Sequence, residues 1–197
     1  MSASITTAPI RLLAISGSLR HDSHNTAVLR SLQPLLPPSA SIELFPLNDV
    51  PLYNADLDED DPPQCVARLK DAIRAADGIG HLLARVQLRY GMPGVLKNAI
   101  DWASRPGFVS PLKGKPALIM TASPGTAGGV RAQAQIRDAL AATLARPIVR
   151  QHVTIANVAT RLRDGRLIDD ATLDFIKAAL GDLLGEITLL RTRPHSR

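Results

Sequence analysis

Apolar runs of strand length alternate with segments of helical period along this whole chain, and that alternation narrows the fold more than any other feature. "IRLLAIS" (Ile10 to Ser16) reads as a strand and "HNTAVLRSLQPLL" (His24 to Leu36) as a helix stopping near Pro37-Pro38. "SIELFPL" is a second strand, followed by the acidic, proline-bearing loop "NDVPLYNADLDEDDPP", which belongs on the surface. A helix over Gln64 to Ala76, a strand in "DGIGHLLA" and a helix in "PGVLKNAIDWAS" come next. "KPALIMTAS" is a strand, "GGVRAQAQIRDALAATL" a helix and "RPIVRQHVTIAN" a fifth strand. "RDGR" is a turn, and "DDATLDFIKAALGDLLGEITLL" is a closing helix with Asp169 or Asp170 placed to cap its first turn. Five strands separated by helices predict an α/β fold: a five-stranded parallel sheet with helices on both faces. Its ligand should lie at the carboxyl ends of the strands, where loops leave Ser16, Ala84 and Ser123.

The chain has 197 residues, 45% of them apolar, enough to bury one good core in one domain. Aromatics make up only 3%, so the core must be Leu, Ile, Val and Ala. Much of the net charge of +5 sits in "RTRPHSR", Arg191 to Arg197, which reads as a frayed basic end, as do residues 1–8. Without interleaved aromatics it is a poor nucleic-acid arm. A single cysteine, Cys65, excludes an internal disulfide and a cysteine-ligated metal site. His21 and His24 flank Asp22 without a further ligand cluster, so no metal site is expected. No leader or membrane span is visible, and a cytoplasmic protein is expected.

The loop "SGSLRHDSHNTAVLR" lacks the Gly-Lys-Ser/Thr ending of a Walker loop and the dinucleotide G-x-G-x-x-G. It does offer Ser16, Ser18, Arg20, Ser23, Asn25 and Thr26 just before a helix. Amides and hydroxyls there suit a phosphate, with Arg20 to neutralise it. The plainer reading is a polar turn in which Ser23 or Asn25 caps the helix.

"GSLRxxSxN" after a first strand, with "PGVLKNAIDWxSRP" further on, resembles the NADPH-dependent FMN reductase family, which includes quinone, chromate and azo-dye reductases and is flavodoxin-like in fold. "PLKGKP", "TASPGTAGG" and "DGRLIDDATLDFIKAAL" extend the resemblance from about Ile10 to Leu190. It implies FMN as cofactor and NADPH or NADH as hydride donor, with a quinone, flavin, azo compound or metal oxyanion as acceptor. Ser18, Leu19, Arg20, Ser23 and Asn25 would then grip the FMN phosphate, with Ser16 and Thr26 added from the reading of the loop itself. Ser123 would lie beside the flavin, with Gly125, Gly128 and Gly129 allowing close backbone approach, unless these glycines only make a turn. The resemblance also implies a homodimer or homotetramer with flavin near a subunit interface, to which Trp102 and Tyr90 could contribute if they are not core residues. No Ser-His-Asp or Cys-His set is evident, and no catalytic acid or base is expected. The rivals are a flavodoxin-like binding or regulatory module without turnover, and a phosphatase or nucleotide enzyme. The second lacks a loop cysteine and a Walker lysine.

One joint departs from the family. A Pro-Glu-Tyr-Asn segment normally leads to "PGVLKN", whereas this chain reads "GHLLARVQLRYGM". Gly80 to Arg89 can be written GGT CAT CTC CTC GCC CGA GTA CAA CTA CGG. Without its first base, that string encodes Val-Ile-Ser-Ser-Pro-Glu-Tyr-Asn-Tyr. A locally shifted reading frame is therefore expected over this stretch. If the stretch is real, backbone amides at Gln87, Leu88 and Arg89, with Tyr90, would reach the flavin, and Arg85 and Arg89 would add positive charge at the rim.

Overall fold

The computed structural model describes residues 8–59, 61–85 and 91–192. Strands β1 (Ile10–Ser16), β2 (Ala40–Phe45), β3 (Gly78–Arg85) and β4 (Pro116–Ala122) pair in parallel in the order β2-β1-β3-β4. The fifth position, beside β4, is filled by two short strands, β5 (Arg146–Pro147) and β6 (Val153–Ile155). The five-position parallel sheet is as the alternation predicts.

Helices α1 (His24–Arg30), α2 (Gln64–Ala75), α3 (Gly94–Ala103), α4 (Val130–Ala142) and α5 (Asp170–Thr192) cover both faces. Strand side chains alternate between two cores. Leu13, Ile15, Ala117 and Ile119 pack with Leu69, Leu96 and Ile136 of α2, α3 and α4. Leu12, Ala14, Leu118 and Met120 pack with Val28, Leu29, Leu180 and Leu183 of α1 and α5. Every position of β4 is buried, which accounts for its unbroken apolar run.

Three expectations need correction. Helix α1 ends at Arg30 instead of Leu36, and Gln33–Leu35 forms a separate 3-10 turn. Pro34 has no N–H to bond the Arg30 carbonyl, and its ring would clash there. The strand expected over 146–157 is instead two pieces: pairing runs past Pro147 to Ile148, whose N donates to Ala117 O at 2.9 Å, and breaks after it, where Arg150 is drawn to α5. Its guanidinium pairs with Asp182 at 2.8 Å and lies 5.1 Å from the Phe175 ring centroid. The α5 cap is as expected: of its two candidates Asp169 is used, accepting from Thr172 N at 3.1 Å. Finally, Arg191 is not frayed: it donates to Ala8 O at 2.6 Å and pairs with Asp77 at 2.8 Å, inside α5. The "RDGR" turn forms as read, joining β7 (Leu162–Arg163) to β8 (Arg166–Leu167) through Asp164 and Gly165, both at positive φ.

Candidate functional site

The first loop keeps its carbonyls occupied and its amides spare. Ser16 Oγ donates to Ser18 O at 3.5 Å, and Asn48 Nδ2 donates to Leu19 O at 3.4 Å. Among the described residues, the amides of Ser18, Leu19 and Arg20 donate to no backbone carbonyl. Consecutive unspent N–H groups form a concavity that favours an anion. Among the described residues, the Arg20 guanidinium is anchored only by a long 3.4 Å contact to Asp22 O, in the open, so it is available to an anionic group.

The polar residues behind this turn are spent on holding it. Ser16 Oγ and Thr26 Oγ1 share a hydrogen bond at 3.1 Å, buttressing the loop base. Ser23 is the α1 N-cap, accepting from Thr26 N at 3.3 Å, and Asn25 is buried. The capping reading is therefore correct for Ser23, whose hydroxyl keeps its own proton to donate. α1 itself is only two turns long.

Facing the loop across a cavity of about 380 Å³ is the start of α3. Gly17, Ser18, Leu19 and Arg20 line one side, and Pro93, Gly94 and Val95 the other. Pro93 sits as N-cap, extended at ψ 134°, and a Cβ built on Gly94 would meet nothing within 4 Å. Gln135 of α4 accepts from Met92 N at 2.7 Å and so holds the approach to α3.

The connection from β2 to α2 straps these two sides together. Besides the Asn48 contact, Pro51 O accepts from Asn98 Nδ2 at 2.7 Å and from Trp102 Nε1 at 2.9 Å. Trp102 is fully buried, so the core reading of that residue holds. Farther along, the side chain of Asp58 is 7% exposed and pairs with Lys70 and Arg105, both at 3.0 Å. Burial pushes its carboxyl pKa up, but the hydrogen bonds and charges of Lys70 and Arg105 outweigh this and hold it below the usual range.

The loop after β4 is knitted to β6. Ser123 N donates to Ile155 O at 3.0 Å, Val158 N to Ser123 O at 3.0 Å, and Asn157 N to Gly125 O at 3.2 Å. Ser123 Oγ accepts from Gly125 N at 3.1 Å. Gly128 has φ +56°, and a Cβ there would fall 2.9 Å from Thr154 Cβ, so turn geometry and packing both require glycine. Gly125 has no such requirement: a Cβ there meets only ordinary contacts. This loop approaches the first one through Ala122 and Pro124, which lie near Arg20, Ser23 and Asn25.

Sequence reasoning thus placed Ser18, Leu19 and Arg20 on the cavity wall. It missed Gly17, Pro93, Gly94 and Val95 as lining, together with Asn48. The Pro-Gly pair opening a helix was the available signal for the α3 side. Gln87, Leu88, Arg89 and Tyr90 lie outside the described residues. No group of three or more potential metal ligands occurs among the described residues.

A cavity of this size, with spare amides and a free guanidinium at one end, suits a phosphorylated planar cofactor. Residues 10–160 match the family described as NADPH-dependent FMN reductase. This chain belongs to that family. An NAD(P)H-dependent FMN reductase of Pseudomonas aeruginosa is 43% identical over 172 residues, covering 87% of this chain and 91% of that protein. A quinone reductase of Escherichia coli is 36% identical over 175 residues, covering 87% and 92%. The structure of FerB, a flavoenzyme NAD(P)H:(acceptor) oxidoreductase from Paracoccus denitrificans, superposes with a TM-score of 0.79 at 32% identity, covering 91% and 97%. The FMN reductase fold is flavodoxin-like, and the protein is an FMN-dependent NAD(P)H oxidoreductase. The donors of the first loop fit FMN: amides and Arg20 for its phosphate. No helix among the described residues is long and apolar enough to cross a membrane.

Proposed function

We propose that the cavity between 17–20 and 93–95 holds FMN and that the protein passes electrons from NADPH or NADH to a small oxidised acceptor of the quinone class. A free flavin, an azo compound or a metal oxyanion remain members of the same acceptor set. The spare amides of the first loop, opposite an open helix start across one cavity, carry the reading. Bound FMN supplies the two-electron relay between nicotinamide and acceptor.

In this reading Ser18, Leu19 and Arg20 bind the phosphate, while Ser16, Ser23, Asn25 and Thr26 hold the loop that presents them. Ser123, Gly125 and Gly128 shape the neighbouring wall. The roles given to Gln87, Leu88, Arg89 and Tyr90 rest on the family resemblance alone. No side chain is assigned as acid or base. The chain is read as one domain, cytoplasmic and a homodimer or homotetramer, without nucleic-acid or membrane partners.

Steady-state NAD(P)H oxidation by the FMN-loaded protein with a quinone should give parallel double-reciprocal lines, because donor and acceptor use one flavin in turn. A protein that binds no FMN, and oxidises no NAD(P)H after FMN is added, would instead be a non-catalytic binding module.

A further inference from the structure

A backbone amide can serve a phosphate only if its peptide unit faces the right way. The unit is planar and trans, so the carbonyl of one residue and the N–H of the next point in opposite directions. In the first loop the Leu19 carbonyl accepts from Asn48 Nδ2 at 3.4 Å, across 29 residues of sequence. The Arg20 N–H is thereby turned away from the strap, and among the described residues it donates to no backbone carbonyl. The preceding carbonyl, of Ser18, is held from within the loop by Ser16 Oγ at 3.5 Å. Asn48 is the anchor that comes from outside.

Asn48 is itself fixed on both sides. Leu47 is buried in the core, and Val50 N donates to Leu47 O at 3.3 Å, closing a turn around Asn48 and Asp49. The next residue, Pro51, gives its carbonyl to Asn98 Nδ2 and Trp102 Nε1 of α3, at 2.7 and 2.9 Å. Asn48 is exposed, and it meets the loop with its NH2 end, the only end from which a carbonyl can accept. One neutral hydrogen bond in the open adds little to folding once the side chain's lost freedom is counted. What it does fix is the orientation of the 19–20 peptide unit.

We propose that Asn48 is a positioning residue for the FMN phosphate: by holding the Leu19 carbonyl it keeps the Arg20 amide, and not that carbonyl, facing the anion. The inference rests on the phosphate reading of 18–20 given above and adds the residue that orients it. Without Asn48 the 19–20 peptide plane can turn over by counter-rotation of its two flanking torsions, setting a carbonyl against the phosphate. The flavin ring has no part in this, so the effect belongs to the phosphate alone.

The test titrates the flavin-free protein with FMN and with riboflavin by flavin fluorescence, and records the melting temperature of each variant without flavin. Asn48→Ala should weaken FMN binding about three- to tenfold, the range of one neutral hydrogen bond. Asn48→Leu, which keeps the size of the side chain without its donor, should do the same. Riboflavin binding and the melting temperature should stay as in the wild type. The backbone N–H survives in Arg20→Ala, so adding Asn48→Ala to that variant should cost the same factor again. Unchanged FMN affinity in both Asn48 variants would overturn the proposal. So would an equal loss for both flavins, the mark of a merely structural contact. An effect that vanishes in the Arg20→Ala background would overturn it too, by placing Asn48 behind the guanidinium. Wild-type protein that binds riboflavin as tightly as FMN would sink the phosphate reading itself, separately from these outcomes.

Discussion

Two loops leave the same end of the sheet, 17–23 after β1 and 123–129 after β4, and both draw on glycine and serine before a helix. They spend these residues differently. In the first, carbonyls are tied back by Ser16 and Asn48, and among the described residues the amides of 18–20 donate to no backbone carbonyl. In the second, Ser123 and Gly125 give backbone groups to the end of β6 and Ser123 Oγ bonds within the loop, while the amides of Thr126 and Ala127 donate to no backbone carbonyl among the described residues. Residue types alone do not show which part of such a loop is tied down. The destination of each backbone donor and acceptor does.

The largest effect that would break this contrast concerns Gly128. Its φ of +56° costs an L-residue about 1–2 kcal/mol. The added methyl would lie 2.9 Å from Thr154 Cβ, an overpacking cost of about 1–3 kcal/mol. Gly128→Ala should therefore lower the stability of the flavin-free protein by about 2–5 kcal/mol in chemical denaturation. Its FMN affinity, measured well below the melting temperature, should hold. Lost affinity at unchanged stability would make the second loop a binding loop after all.

Arg20 should show the reverse. Removing a charge-assisted hydrogen bond to phosphate costs about 1.5–3 kcal/mol of binding. Its long, exposed contact to Asp22 O gives Arg20→Ala little to lose in folding, within about 0.5 kcal/mol. Flavin-fluorescence titrations should show weaker FMN binding and unaltered riboflavin binding, since riboflavin lacks the phosphate. Equal loss for both flavins would take Arg20 away from the phosphate.

The fold was legible because its determinants are local in sequence: seven-residue apolar runs such as "PALIMTA" have few alternatives to a buried strand. Ser18 and Arg20 were legible because polar donors in a strand-to-helix turn have few uses. Ser23 was ambiguous, since an N-cap and a phosphate ligand want the same hydroxyl. The end of α1 was misread because Leu32, Leu35 and Leu36 continue an apolar pattern past Pro34, although the proline settles the matter. Least legible was the strap. Asn98 lies 47 residues from Pro51, and nothing near either residue in sequence announces that they meet.

The smallest effect sharpens the contrast at the joint between β3 and α3. Leu13 pairs with Ile79, but Ala14 pairs with His81. On the other side, Ile79 pairs with Ala117 and Leu82 with Ile119. β3 thus carries one residue more than both neighbours at the same point, and a bulge between parallel strands is rare. The shift begins where the alternative frame would begin, at Gly80. Replacing Gly80 to Tyr90 by Val-Ile-Ser-Ser-Pro-Glu-Tyr-Asn-Tyr should restore an even register in the centre of the sheet. The introduced proline should add about 0.4–1 kcal/mol if the backbone accepts it, by restricting the unfolded chain. A joint that also offers backbone donors to FMN would behave as the first loop does, so melting temperature and FMN affinity should rise together, the ligand binding only the native state. A rise in melting temperature without affinity would class the joint with the knitted loop after β4. If neither rises, the shifted-frame reading falls, and "GHLLARVQLR" stands as this chain's own way of joining strand to helix.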